Sequence, residues 1–166
     1  QVITEDSNSG YQFFQKVCTD NGINCKSASG KSNIFKLLLD ETKQEVLVIA
    51  DGAAFGSQME RIMGLAVVQQ NFHVYLPESF EWLILRSGLL EDSEISKILE
   101  SPEKYVDSLH YFSWERFFTD LLMQRTSNSY LSYTKSKLNP VYLQEQEKTA
   151  ILSVIPKIQF KNEKDR

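Results

Sequence analysis

Four short runs along the first half of the chain read as strands: VIT (2–4), Ile23–Ser27, Val46–Ala50 and Phe72–Leu76. The third, VLVIA, is apolar at every position, the pattern of a strand buried on both faces under helices. Between these runs the apolar residues recur at helical spacing. Gly10–Thr19 places Tyr11, Phe14, Val17 and Cys18 on one face, Ser32–Leu39 forms a second helix, and Ser57–Gln69 carries Met59, Ile62, Met63 and Val67. An Asn21-Gly22 pair ends the first helix and Pro77 stops the fourth strand. Strands that alternate with helices in this way predict right-handed βαβ units and an open parallel sheet of four strands.

From Glu78 onward the rhythm is helical only. Phe80–Ser87 and Ser93–Leu99 read as short helices, and Pro102 sits in the first turn of another segment, SPEKY. Ser113–Gln124 is amphipathic through Trp114, Phe117, Phe118, Leu121 and Leu122, a stripe suited to docking on the sheet or on another domain. Val141 to about Ser153, after Asn139-Pro140, reads as the last helix. The expected organisation is therefore an α/β domain over 1–90 and a helical extension over 91–160 packed on it. A charged tail at 161–166 is expected to be disordered.

Length and composition agree with that picture. At 166 residues and 42% hydrophobic content the chain can bury the core of one domain. No apolar stretch approaches the roughly 20 residues that span a bilayer, and no charged-then-apolar leader opens the sequence. A cytoplasmic location without membrane contact is expected. The chain starts with Gln1 rather than Met, inside a strand, so it reads as part of a longer polypeptide whose other domain is a candidate partner. Cys18 and Cys25 lack C-x-x-C spacing and a flanking His, which suits two reduced thiols better than a metal site. The net charge of −4 hides an asymmetry: 10 Lys and Arg against 18 Asp and Glu up to residue 124, then 8 against 4. A basic C-terminal segment permits contact with DNA or RNA without requiring it.

Chemistry concentrates where strands meet loops. Glu5, with Asp6 beside it, follows the first strand, and Asp51 follows the third. In the order 2-1-3-4 these strands are neighbours whose helices leave on opposite faces, so both carboxylates border the topological switch point where such sheets bind ligands. Oxygen donors from two strands suit Mg²⁺ or Mn²⁺, which keep several waters and can promote phosphoryl transfer. Asp51 can alternatively cap the next helix or order its turn.

The arrangement resembles the Toprim domain of topoisomerases, bacterial primases, small ribosomal-RNA maturases and the overcoming-lysogenization-defect nucleases, over residues 1 to about 88. The family's strand-ending E-G-x-x-D stands here as Glu5-Asp6-Ser7-Asn8-Ser9, and its D-x-D-x-x-G as Asp51-Gly52-Ala53-Ala54-Phe55-Gly56. Its Leu-Pro pair with a following acid is Leu76-Pro77 with Glu81 and Trp82. The resemblance implies that Glu5 is a general acid/base or metal ligand and Asp51 a metal ligand. Two acids of the pattern are missing, at Ser9 and Ala53. Asp6 and Glu81 are partial substitutes, whereas Glu60 is expected to face solvent. The implied function is a Mg²⁺- or Mn²⁺-dependent nuclease or phosphotransfer domain acting on nucleic acid. The missing acids keep open a catalytically inactive Toprim-like interaction or regulatory module, and a flavodoxin-like domain for a small phosphorylated ligand is the third reading.

Other motifs are weaker. Gly30-Lys31-Ser32 matches the end of a P-loop, but the first glycine of that pattern falls on Cys25. Lys31 is placed to contact a phosphate, or to lie exposed in a helix-capping turn. His73 and His110 have no metal-ligand spacing, and Ser7, Ser9 and Ser57 have no nucleophile elbow. Lys135 and Lys137, interleaved with Tyr130, Tyr133 and Tyr142, form a modest basic and aromatic set that reads either as nucleic-acid surface or as core tyrosines with solvated lysines.

Overall fold

A computed structural model describes residues 1–40, 45–51, 59–68, 71–105 and 114–156. The Gly52–Gly56 half of the second motif, the expected helix start at Ser57, His110, Ser113 and the tail 161–166 lie outside the described residues. Four strands, β1 (Val2–Thr4), β2 (Cys25–Ser27), β3 (Val46–Ile49) and β4 (Phe72–Tyr75), form an all-parallel sheet in the order β2-β1-β3-β4. The helices between them are α1 (Ser9–Asp20), α2 (Lys31–Asp40) and α3 (Met59–Val68). Thereafter come α4 (Phe80–Arg86), α5 (Ser93–Glu100), α6 (Trp114–Thr126) and α7 (Glu145–Val154), with short 3₁₀ turns at Pro102–Lys104 and Pro140–Leu143. Among the described residues no helix is long and apolar enough to cross a membrane.

The strands are apolar on both faces because both faces are covered. Ile3, Val46 and Val48 point to a core with Ile34 and Phe35 of α2 and Ile62 of α3. Val2, Leu47 and Ile49 point the other way, toward α1 and the C-terminal helices. This second core continues without a break from the sheet through Leu83, Leu122 and Tyr142 to Ile155. In α1 the buried face contains Phe13 as well as Phe14, Val17 and Cys18, while Tyr11, expected on that face, is only half-buried. On α3, Ile62 is buried as expected but Met63 is exposed, and Glu60 faces solvent.

The expected last helix is divided. Asn139 caps the Pro140–Leu143 turn by accepting the Val141 N–H at 3.1 Å, and Gln144 is extended before α7 begins. Proline at the first position of the turn favours its φ, but the extended Gln144 breaks the helical path that apolar spacing alone suggested.

Candidate functional site

At the C-terminal edge of the sheet, β1 and β3 each hand the chain to a carboxylate. The Glu5 N–H donates to Ile49 O at 3.1 Å, and its carbonyl accepts the Gly30 N–H at 2.7 Å, so Glu5 extends the ladder on both sides. The carbonyl of Asp6 accepts both Thr4 Oγ1 at 3.0 Å and Ser27 Oγ at 2.7 Å, which pins the turn after β1 to the end of β2. The carboxylate of Asp6 accepts the Asn8 backbone N–H at 3.3 Å, an Asx turn leading into α1. Asp51 follows Ala50, whose N–H donates to Tyr75 O of β4.

Glu5, Asp6 and Asp51, expected at one switch point, line one crevice between the strand ends and α4. Glu81, expected as a partial substitute, lines it too. It sits in the first turn of α4, whose start is set by Ser79 Oγ accepting the Trp82 N–H at 3.1 Å. Glu81 is only 3% exposed, and Tyr133 Oη donates to its Oε1 at 2.8 Å.

Two further groups close the crevice from the C-terminal half. Glu115 enters from the first turn of α6, and the Lys135 ammonium lies beside it and donates to it. Glu115 was not among the expected site residues, and Lys135, Tyr133 and Tyr142 were expected either as a nucleic-acid surface or as core tyrosines with solvated lysines. The structure buries both tyrosines and puts Lys135 in the crevice; Tyr130 alone of the three tyrosines is exposed. A signal existed for the two glutamates. Glu115 shares a helical stripe with Phe118 and Leu122, and Glu81 interrupts the apolar run Phe80-Glu81-Trp82-Leu83. The basic and aromatic run marks Lys135 but does not bring it to the crevice, because it arrives on an irregular segment.

The electrostatics follow from this crowding. Burial pushes the Asp51 carboxyl up to about 9, reinforced by the negative charges of Glu115, Glu81 and Asp6 and by a hydrogen bond with Glu115. At neutral pH Asp51 therefore holds a proton. Burial pulls the Lys135 ammonium downward, but its hydrogen bond and attraction to Glu115, with help from Glu81 and Asp51, leave it above its ordinary value. The Tyr133 hydroxyl is raised by burial and by the neighbouring Glu81.

The other candidates stand apart. Gly30 has φ +128° and its N–H donates to the Glu5 carbonyl, and Lys31 and Ser32 open α2, their side chains outside the described residues. His73 lies on β4 with Nε2 3.2 Å from Glu45 Oε2, near the starts of the strands rather than their ends. Cys18 and Cys25 pack in the same core, and a hydrogen bond to Cys18 followed by burial raises the Cys25 thiol.

Among the described residues the potential ligands at the crevice are oxygen donors, which suit hard cations better than zinc. The crevice opens to solvent, so water can reach a cation held at its carboxylates. Among the described residues no three acidic, His or Cys side chains stand ready as a metal cage. The fit is thus one of donor type and solvent access, with water supplying much of any coordination shell.

No protein-family model matches the chain, and neither a curated protein nor a solved structure matches it.

Proposed function

We propose that this chain is a Toprim-like, divalent-metal-dependent nuclease or phosphotransfer domain acting on nucleic acid, within a larger protein. The observation that carries the reading is the meeting of Glu5 and Asp51, from adjacent parallel strands, in one solvent-open crevice with Glu81, Glu115 and Lys135. Glu5 and Asp51 are the residues to hold Mg²⁺ or Mn²⁺, with Asp6 nearby. When bound, such an ion polarises a phosphoryl oxygen and makes a bound water more acidic. Lys135 supplies the fixed positive charge that a phosphodiester needs beside so many carboxylates. Glu5 is the group to take or return a proton at the attacking oxygen. Asp51 must give up its proton before it can act as a ligand, so ion binding releases a proton.

A second reading is favoured by one specific feature. The Lys135 ammonium already lies among Glu115, Glu81 and Asp51 and supplies positive charge where the family's acids would hold a cation. With Ala53 and Ser9 in place of two acids, a catalytically inactive interaction or regulatory module follows. Mn²⁺ titration calorimetry separates the two. The enzyme reading expects binding in wild type that Asp51→Asn and Glu5→Gln each abolish, and metal-dependent cleavage of DNA or RNA lost in the same variants. Absence of binding up to the millimolar range sinks it and leaves the inactive module.

A further inference from the structure

We propose that Ser9 is a positioning residue for the crevice: it clamps the segment 134–138 onto the start of α1 and thereby holds Lys135 among the carboxylates. The assignment of a phosphate-facing role to Lys135 rests on the function proposed above; the clamp does not.

Ser9 is wholly buried, although serine is usually an exposed residue. Its Oγ donates to Thr134 O at 2.7 Å, and its backbone N–H donates to Lys135 O at 2.8 Å. The first N–H groups of a helix have no partner within it. In α1 the preceding Asn8 makes no side-chain cap, and the Lys135 carbonyl takes that role for Ser9 from a segment more than 120 residues away. One turn on, Gln12 repeats the pattern: Nε2 donates to Ser136 O and Oε1 accepts the Leu138 N–H, both at 2.9 Å. Two positions of α1, one turn apart, therefore grip the backbone on both sides of Lys135. Its side chain then meets Glu115, and its neighbour Tyr133 meets Glu81.

Ser9 is also where the resembled motif carries an acid. An aspartate there would set a buried carboxylate against the Thr134 carbonyl, acceptor facing acceptor, with no donor to replace the hydroxyl. Serine supplies that donor.

The test is amine-labelling kinetics on the intact chain, read residue by residue by mass spectrometry, with Lys16 on the same helix as the internal standard. Lys135 has a side chain 38% exposed, so reagent reaches it in the wild type. Ser9→Ala is expected to raise the Lys135-to-Lys16 labelling ratio roughly fivefold, as befits one lost hydrogen bond, and Ser9→Asp to raise it further. Gln12→Ala should do the same to a smaller degree and serves if the Ser9 variants do not fold. A merely structural role would lower the melting temperature and leave the ratio alone; an unchanged ratio in a folded Ser9→Ala or Gln12→Ala overturns the clamp. If the ratio rises but wild type neither binds Mn²⁺ nor cleaves nucleic acid, the clamp stands and the enzyme reading falls.

Discussion

Asp51 is the residue at which site and stability oppose each other. In the folded chain its carboxyl titrates near 9 because of burial and its acidic neighbours, against 3.8 when unperturbed. The native state therefore holds a proton that the unfolded state has released, and the metal-free protein loses stability as pH rises from about 4 toward 9. Asp51→Asn removes the penalty while keeping a donor for Glu115. We expect it to stabilise the metal-free protein by about 1–2 kcal/mol at pH 8 and to flatten this pH dependence, as followed by thermal melts in chelator. A melting temperature below wild type at pH 8 would contradict this. Tyr133→Phe acts in the opposite direction, since it leaves the buried Glu81 without its hydroxyl donor. Its cost is roughly 1–3 kcal/mol, measurable by chemical denaturation. At this scale the sequence disclosed Glu5 and Asp51 because each ends a strand, and Glu81 because it followed the Leu76-Pro77 pair. It marked Lys135 and Tyr133 only as part of a basic and aromatic run and could not bring them to the crevice, because their places depend on non-local contacts with Ser9, Glu81 and Glu115.

At the scale of elements, the close approach of α1 and α4 shapes one wall of the crevice. Gly10 permits it: a Cβ there would lie 3.1 Å from Phe80 Cβ and 3.2 Å from its Cγ. Phe80 has little room to yield, with its ring 5.3 Å from that of Phe13 and 6.0 Å from that of Phe14. Gly10→Ala should therefore cost about 1 kcal/mol or more despite alanine's better helix propensity, and thermal denaturation decides it; a more stable variant would show that α4 can shift. The strands and most helices were legible because their periodicities are local, and parallel pairing follows from alternating the two. What local periodicity could not show was the irregular segment 127–139. Its organisation comes from side-chain caps, such as Asn139 Nδ2 donating to Tyr130 O and Ser132 O, each at 3.0 Å.

For the whole molecule, the important feature is that one apolar cluster joins sheet, α1 and the C-terminal helices. Leu83, Ile84 and Phe80 belong to the first 90 residues, yet they share that cluster with Phe118, Leu122, Tyr142 and Ile151. A fragment of residues 1–90 would leave this face of α4 bare, so it should lack the sharp near-ultraviolet circular dichroism and cooperative melting of the full chain; a cooperative melt from the fragment would show that the α/β part folds alone. The crevice is divided in the same way, with Glu5, Asp51 and Glu81 from the first part and Glu115 and Lys135 from the second. Metal binding should then report on the entire fold. Mn²⁺ at a hundredfold excess over its dissociation constant adds about 2.7 kcal/mol to the folded state, equivalent to about 5–10 °C in melting temperature at this size. Wild type should show that rise, more strongly toward pH 9 as the Asp51 proton becomes easier to displace, and Asp51→Asn should show none. An equal rise in both proteins would place the ion elsewhere, and no rise in either would leave Lys135 as the crevice's own cation.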